Sequence, residues 1–547
     1  MIATLRLDNL KGDIFGGLTA AVVALPLALA FGVASGVGPM AGLYGAILVG
    51  FFASLFGGTP AQVSGPTGPM TVVMTATVMQ YADQPAVAFT VVMMSGLFQI
   101  AFGLARIGRF ISFVPFSVIS GFMSGIGVII ILLQLAPLLG HNVAAGGTVG
   151  AILYLPDLLS NIQIDAAVVG LLSLGIMIFC PQRISKIIPE PLIALVTCTV
   201  LSISLLPTAP IIGDIPSGLP DPYIPHILWE RFPDMLGSAM MLALLGTIDS
   251  LLTSLIADNI TKTEHNPNRE LIGQGIGNAL AGVMGAIPGA GATMRTVINV
   301  RAGGQTPIAG MIHALVLLAI VLGLGPLASH IPHAVLAGIL LKVGWDIIDW
   351  PFLKIIKNAP KMSIFLTSSV LILTVFVDLV IAVGFGVVSA SMITLHQMSQ
   401  LQLQAIRTSK GSHGKSHLSQ KENDLLADLG DHVFYCHFGG PVTFGAARGM
   451  AEILRPDDSC DLLILDMSKV TYIDLTTAYA LLEIIENAKS NDLEVLMVAM
   501  CETVAQVLET LGILNEINEH HIHLTRTESF KNAKAYLENK YPHPDQG

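Results

Sequence analysis

Two short stretches constrain this chain more than any other feature, because each puts helix-breaking residues inside strongly apolar sequence. They are Ser64-Gly65-Pro66-Thr67-Gly68-Pro69 and Pro288-Gly289-Ala290-Gly291-Ala292-Thr293. Irregular backbone at bilayer depth is tolerated only where it is buried in protein or lines a watery cavity, so two such breaks predict a site. After each break a helix-like apolar run restarts (70 to 79 and 294 to 300), which aims a helix N-terminus, with free N–H groups and positive dipole character, into the membrane. Such ends attract anions. Interrupted segments at matching places in two halves of a chain are the sequence mark of a transporter binding site.

The membrane setting follows from composition. Of 547 residues, 53% are hydrophobic and only 12% charged, and the mean hydropathy is +0.71, far from an ordinary soluble protein. Apolar runs of spanning or near-spanning length fall at about 14–34, 41–57, 68–81, 87–105, 112–137, 165–180 and 187–206. A second set falls at about 233–257, 271–287, 293–301, 307–328, 332–344, 362–377 and 380–398. In both sets of seven the third run is the short one after a break, which predicts an internal repeat, and an odd number of spans per repeat makes the two inverted. Arg6 and Lys11, Arg106 and Arg109, Arg183 and Lys186, Lys262 and Arg269, and Lys354, Lys357 and Lys361 fall on one side of the spans, whereas 138–164 and 207–230 contain no Lys or Arg. Both termini are therefore expected in the cytoplasm. The first run leads into further spans with no evident cleavage site, so it reads as a transmembrane helix and not a signal peptide.

The sequence changes character after residue 404. Residues 405–430 read as a polar, flexible linker, and 431–547 alternate β-like and helix-like runs, the pattern of a small α/β domain. Residues 401–547 hold 12 of the 27 Lys+Arg and 21 of the 38 Asp+Glu, hence −9 of the net −11 charge. That acidity argues against nucleic-acid binding. Cys180, Cys198, Cys436, Cys460 and Cys501 have no metal or disulfide spacing and read as reduced packing residues. Gly411 to Ser416 imitates the end of a phosphate loop but has Ser409 in place of its first glycine and no preceding strand. His520, His521 and His523 lack the other ligands of a closed metal site. Glu190 reads as a helix-start acid, Asp378 as a turn or cap, and Lys342 as a snorkelling lysine.

Candidate chemistry centres on Asp249, the one ionisable residue between Met235 and Ile256. An intramembrane carboxylate marks function by default because burying it is costly. Thr253 lies one turn on, on the same helix face. With the carbonyls of the broken segment Gly291-Ala292-Thr293, these residues form a set of hard oxygen ligands for a small cation such as Na⁺; alternatively Asp249 carries a proton. Thr67, Gly68, Ala292 and Thr293 are expected to offer backbone N–H and hydroxyl donors to an anion between the two helix ends. Arg295 has two readings: a fixed positive charge facing the anion, or a side chain snorkelling to the cytoplasmic edge beside Arg301. No nucleophile, base and orienter set appears, so an enzyme is not expected.

Several longer motifs resemble the SulP family of anion permeases: Pro39-Met40-Ala41-Gly42-Leu43-Tyr44-Gly45-Ala46, the first break, and His265-Asn266-Pro267-Asn268-Arg269-Glu270 through Asn278. The resemblance covers nearly the whole chain. It implies an all-α, fourteen-span membrane domain in a seven-plus-seven inverted repeat (UraA-like), a gate and a core subdomain, a homodimer, elevator-like movement and a cytoplasmic STAS domain. Within the family the likeness is strongest to sodium-dependent bicarbonate transporters, through 12–22, 68–76 and 289–294. By position it makes Asp249, Thr253 and the backbone of Gly291, Ala292 and Thr293 a sodium site, and Thr67, Ala292 and Thr293 bicarbonate contacts. Leu27, where many relatives have glutamine, and Arg295, found in sulfate-, chloride- and dicarboxylate-handling relatives, depart from that pattern.

In the tail, Asp466-Met467-Ser468 and Ile473-Asp474-Leu475-Thr476-Thr477 resemble STAS, which makes Thr476 a candidate phosphorylation site and implies a cytoplasmic protein partner. The expectation is a bacterial plasma-membrane transporter taking up a small inorganic anion, bicarbonate with Na⁺, with no cofactor beyond the coupling ion. The rival is a proton-coupled sulfate or dicarboxylate permease; an anion channel or STAS-linked sensor is the further alternative.

Overall fold

Each of the fourteen apolar runs becomes a helix, and prolines mark many of the starts. The computed structural model describes residues 8–108, 115–142, 147–185, 188–213, 222–377, 379–410, 418–454 and 460–541. Arg6, Arg109, Lys186, Asp378 and the phosphate-loop lookalike lie outside the described residues. The first seven runs correspond to α1 (Leu10–Ala34), α2 (Pro39–Phe56), α3 (Gly68–Gln80), α4 (Pro85–Leu104), α5 (Phe116–Leu138), then, after α6 (Gly147–Ser160), α7 (Ile164–Phe179) and, after α8 (Gln182–Ser185), α9 (Glu190–Leu205). The second seven are α10 (Phe232–Thr261), α11 (Pro267–Val283), α12 (Thr293–Arg301), α13 (Pro307–Ala328), α14 (His333–Ile347) and, after α15 (Trp350–Ile355), α16 (Lys361–Phe376) and α17 (Leu379–Ala405). Proline in the first turn of α2, α3, α4, α9, α10, α11 and α13 has a preset φ and loses no helical hydrogen bond there.

Among the described residues, six helices are long and apolar enough to cross a membrane, or seven if the bent pair α6–α7 is one span. Helices α9 and α16 are shorter, with 16 residues each, and α3 and α12, with 13 and 9 residues, are half-helices. Helix α6 was not foreseen; it lies within the stretch read as a loop, bent 118° from α7. Lys342 does not snorkel alone: its ammonium meets Asp346, one turn on, at 2.5 Å.

Close helix packing fixes the frame that holds the half-helices. Helix α11 lies against α4 so tightly that a Cβ on Gly96 would stand 2.3 Å from the Ala279 nitrogen. Small residues let backbones approach where hydrocarbon outside offers no hydrophobic drive.

The chain divides by contacts into residues 1–388 and 389–547. The second unit contains β3 (Arg407–Lys410), α18 (Gln420–Asp428), β4 (Val433–Gly439), α19 (Phe444–Ile453), β5 (Leu462–Lys469), α20 (Leu475–Ser490), β6 (Glu494–Val498), α21 (Glu502–Thr510), β7 (Ile522–His523) and α22 (Arg526–Lys540). These strands form one sheet in chain order, β3 antiparallel to β4 and the rest parallel. Two apolar clusters cover its faces. Part of the expected linker is thus structured: β3 extends the sheet, and α18, started by a Ser419–Glu422 capping box, buries Leu426. Its charged face hid that short helix from a reading based on hydrophobicity.

One carboxylate stands out in this domain. Asp466, fully buried within β5, accepts from His437 Nδ1 at 2.9 Å, Arg526 Nε at 2.7 Å, the Ser468 N–H at 3.0 Å and the Tyr435 hydroxyl. Burial alone would push its pKa up, but these donors hold the carboxyl well below the usual carboxylate range. Thr476 is exposed in the first turn of α20, which Asp474 caps by accepting from Thr477 N–H at 2.8 Å. Among the cysteines, Cys198, Cys436 and Cys460 are buried packing residues as expected, whereas Cys501 is exposed.

Candidate anion and cation site at the paired half-helices

The two breaks meet each other directly. Strand β1 (Ser64–Gly65) pairs antiparallel with β2 (Ala290–Gly291), Ser64 opposite Gly291 and Gly65 opposite Ala290. Because the ribbon is antiparallel, the chains leave it in opposite senses, and α3 and α12 begin within three residues of their strands with N-termini facing the same junction. Gly65 is obligatory here. Its φ is +155°, and a Cβ would lie 2.4 Å from Arg295 Nη1 and 3.2 Å from the Ala46 Cα.

Helix α10 then ties both half-helices together through one face. Asp249 Oδ2 accepts the Thr67 hydroxyl at 2.7 Å. Ser250 Oγ accepts the Gly291 N–H at 3.0 Å, and the Thr253 hydroxyl donates to the Gly291 carbonyl at 2.9 Å. Thr253 and Thr293 hydroxyls lie 2.8 Å apart. Residues 249, 250, 253 and 254 follow the spacing of one helix face, so a single element reads the first break through Asp249 and the second through Ser250 and Thr253. Asp249 is 9% exposed and Thr253 fully buried. Among the described residues no side chain forms a salt bridge with Asp249, and Thr67 is its one hydrogen-bond partner.

Most of the site residues expected from sequence are therefore brought together, with changed duties for some. The Ala292 N–H is donated to the Val63 carbonyl at 2.9 Å, so it is not available to an anion. Thr67 turns its hydroxyl to Asp249 rather than to the space between helix ends. The first-turn amides of α3 and α12, at Gly68 and Thr293, remain without helical partners by the geometry of any helix start. At Gly68 a Cβ would press on the Cδ1 methyls of Ile347 and Ile130, at 2.7 and 2.9 Å, so a side chain there requires those two isoleucines to turn aside. Arg295 does not reach the cytoplasmic edge: it is 1% exposed, and its Nη2 donates to the Pro66 carbonyl at 3.1 Å. Its Nη1 has no hydrogen-bond partner among the described residues, which leaves a guanidinium donor buried against the first break.

Sequence reasoning missed the polar frame behind these residues. Glu270 on α11, 1% exposed, accepts Gly58 and Thr59 N–H at 2.9 Å each and the Gln62 and Gln274 side-chain amides at 2.8 Å each. Gln274 reaches on to Ser64 at 2.6 Å, and Ser254 of α10 bridges Thr59 and Gln62 at 2.8 and 3.0 Å. Asn278 binds both backbone groups of Gly289, at 2.8 and 2.9 Å. A signal was present: Glu270, Gln274 and Asn278 recur every fourth residue along a glycine-rich helix that is otherwise apolar after Arg269.

The donor set suits a small hard cation: one carboxylate without a cationic partner, two threonine hydroxyls and a carbonyl, all oxygen. Facing helix ends beside it suit an anion. Fold and site together define a class, a multi-pass membrane transport protein with an α/β domain at its C-terminal end.

The sequence matches the sulfate permease family over residues 10–370 and the STAS domain over 427–529, and the chain belongs to that permease family. It is 44% identical over 550 residues to the bicarbonate transporter BicA of Picosynechococcus sp., covering 98% of this chain and 97% of that one. To BicA of Synechocystis sp. it is 46% identical over 536 residues, covering 97% and 95%. Among solved structures, the transmembrane domain of a cyanobacterial BicA shares 52% identity and a TM-score of 0.67, covering 70% of this chain and 99% of that one. SLC26A9 matches 98% of this chain and 92% of its own with a TM-score of 0.83 at 19% identity, which is a likeness of fold.

Proposed function

We propose that the protein takes up bicarbonate together with Na⁺ across a plasma membrane, with both termini in the cytoplasm. The observation that carries this reading is the convergence of Asp249, Thr253, Thr293 and the Gly291 carbonyl at the junction where α3 and α12 begin. The near full-length identity to two proteins named as bicarbonate transporters supports the choice of anion. Asp249, Thr253, Thr293 and Gly291 hold the cation, Gly68 and Thr293 face the anion with Ala292 allowing close approach, and Thr67 ties the first helix end to Asp249 through its hydroxyl. A bound Na⁺ supplies positive charge beside the helix ends, so each ion raises the affinity of the other. The protein works as a homodimer by elevator-like movement, as the family resemblance implies. Phosphorylation of Thr476 places added negative charge at the start of α20 and alters binding of a cytoplasmic partner.

Full-length protein in liposomes tests this directly. Labelled bicarbonate accumulates with an inward Na⁺ gradient and not with a K⁺ gradient; equal accumulation in both rejects the coupling.

One observation favours a second reading. The unpartnered Nη1 of buried Arg295, against Gly65 and Pro66, is a donor suited to a divalent oxyanion. On that reading sulfate competes with bicarbonate, and a pH gradient replaces Na⁺.

A further inference from the structure

A cleft of about 400 Å³ lies away from the half-helices, between α9 on one side and α1, α2 and α13 on the other. Its walls are almost wholly hydrocarbon: Leu25 and Leu29 from α1, Met40 and Leu43 from α2, Ile320 and Val321 from α13, and a row along α9. The polar side chains among its described lining residues are Thr199, buried with no hydrogen-bond partner among the described residues, and His330, exposed where the chain leaves α13. Val196, Val200 and Ile203 of α9 both line the cleft and are more than half exposed, so it opens sideways onto the surface that a membrane protein presents to lipid.

We propose that this cleft binds one acyl chain of a membrane lipid, inserted from the leaflet at the His330 end. Length argues for it. From Leu192 to Ile203 the α9 wall runs roughly 16 Å at helical rise, which matches the about 15 Å depth of one leaflet's hydrocarbon. Polarity argues for it as well. Water has too few partners on such walls, whereas a hydrocarbon chain restores the dispersion contacts that an unfilled cleft of this size forfeits. The charged end of the lipid then lies near His330, beyond the last apolar residue. Placement gives the site a consequence: α1 packs against α12 on another face, so a chain wedged between α9 and α1 bears on the helix that supports the second half-helix. The cleft is therefore a lipid-binding site that shares no residue with the anion and cation site.

The test uses full-length protein in liposomes containing a phosphatidylglycerol with a photoactivatable diazirine on its acyl chain, followed by peptide mapping. The expected result is adducts on Leu25 and Met40, across the cleft from α9, as well as on Val196 and Val200. Val196→Phe and, independently, Thr199→Phe reduce the Leu25 and Met40 adducts several-fold while labelling of lipid-facing Leu171 and Leu172 on α7 stays constant. Adducts confined to outward-facing α9 positions, or labelling of Leu25 and Met40 that neither folded variant changes, overturn the proposal.

Discussion

Thr67 and Asp249, 182 residues apart in sequence, are joined by a 2.7 Å hydrogen bond that links the first half-helix to the carboxylate of α10. Two further hydroxyl contacts, Thr253 to Gly291 and Thr253 to Thr293, link the same helix to the second. A charge at Asp249 is therefore felt at both helix ends, and the proposed coupling of a cation to an anion rests on that link.

Removing the Thr67 hydroxyl tests that link. Thr67→Val deletes a hydrogen bond to an ionised group, an interaction of about 2 kcal/mol, so the Na⁺ concentration for half-maximal uptake rises by roughly an order of magnitude. Thr67→Ser restores it. Na⁺ titration of bicarbonate uptake in liposomes reads both; an unchanged Na⁺ dependence in Thr67→Val rejects the link.

Glu270 is expected to matter for stability before it matters for ions. Its carboxylate satisfies four buried donors around residues 58–62 and Gln274, so Glu270→Ala leaves them unpaired at about 3 kcal/mol or more. Thermal unfolding in detergent shifts several degrees downward, and Glu270→Gln, which keeps one acceptor, falls between. A variant as stable as the parent contradicts the role.

The Asp466 network makes the C-terminal domain acid-sensitive. The carboxyl is held below its ordinary value near 3.9, so its stabilisation is fully present above that pH and is lost as pH falls toward the folded value. Hydrogen exchange of the β5 peptide in the full chain then accelerates below about pH 4 relative to intrinsic rates. Asp466→Asn shows faster exchange already at neutral pH, from about 3 kcal/mol of lost pairing with Arg526 and His437. Equal protection in the two proteins at neutral pH contradicts this.

The breaks, the half-helices and Asp249 were legible because each violates a rule of membrane sequences: glycine and proline in apolar runs, and a carboxylate within a span. Pairing of β1 with β2 was not, since two-residue strands carry no alternation to detect. The rotamer of Arg295 was equally hidden; sequence fixes that a long cation follows the break, but only packing decides that its guanidinium turns to the Pro66 carbonyl. Polar helix α18 escaped for a related reason, because its structure depends on a capping box and one buried leucine rather than on a wide apolar face.

Asp249→Asn in full-length protein is the most direct test of the central claim. Asparagine keeps the volume and an acceptor for Thr67 but removes the charge that recruits the cation. The variant is expected to fold and to elute as the parent does, with Na⁺-driven bicarbonate uptake lost. Sodium-dependent uptake at the parent's rate in that variant would contradict it.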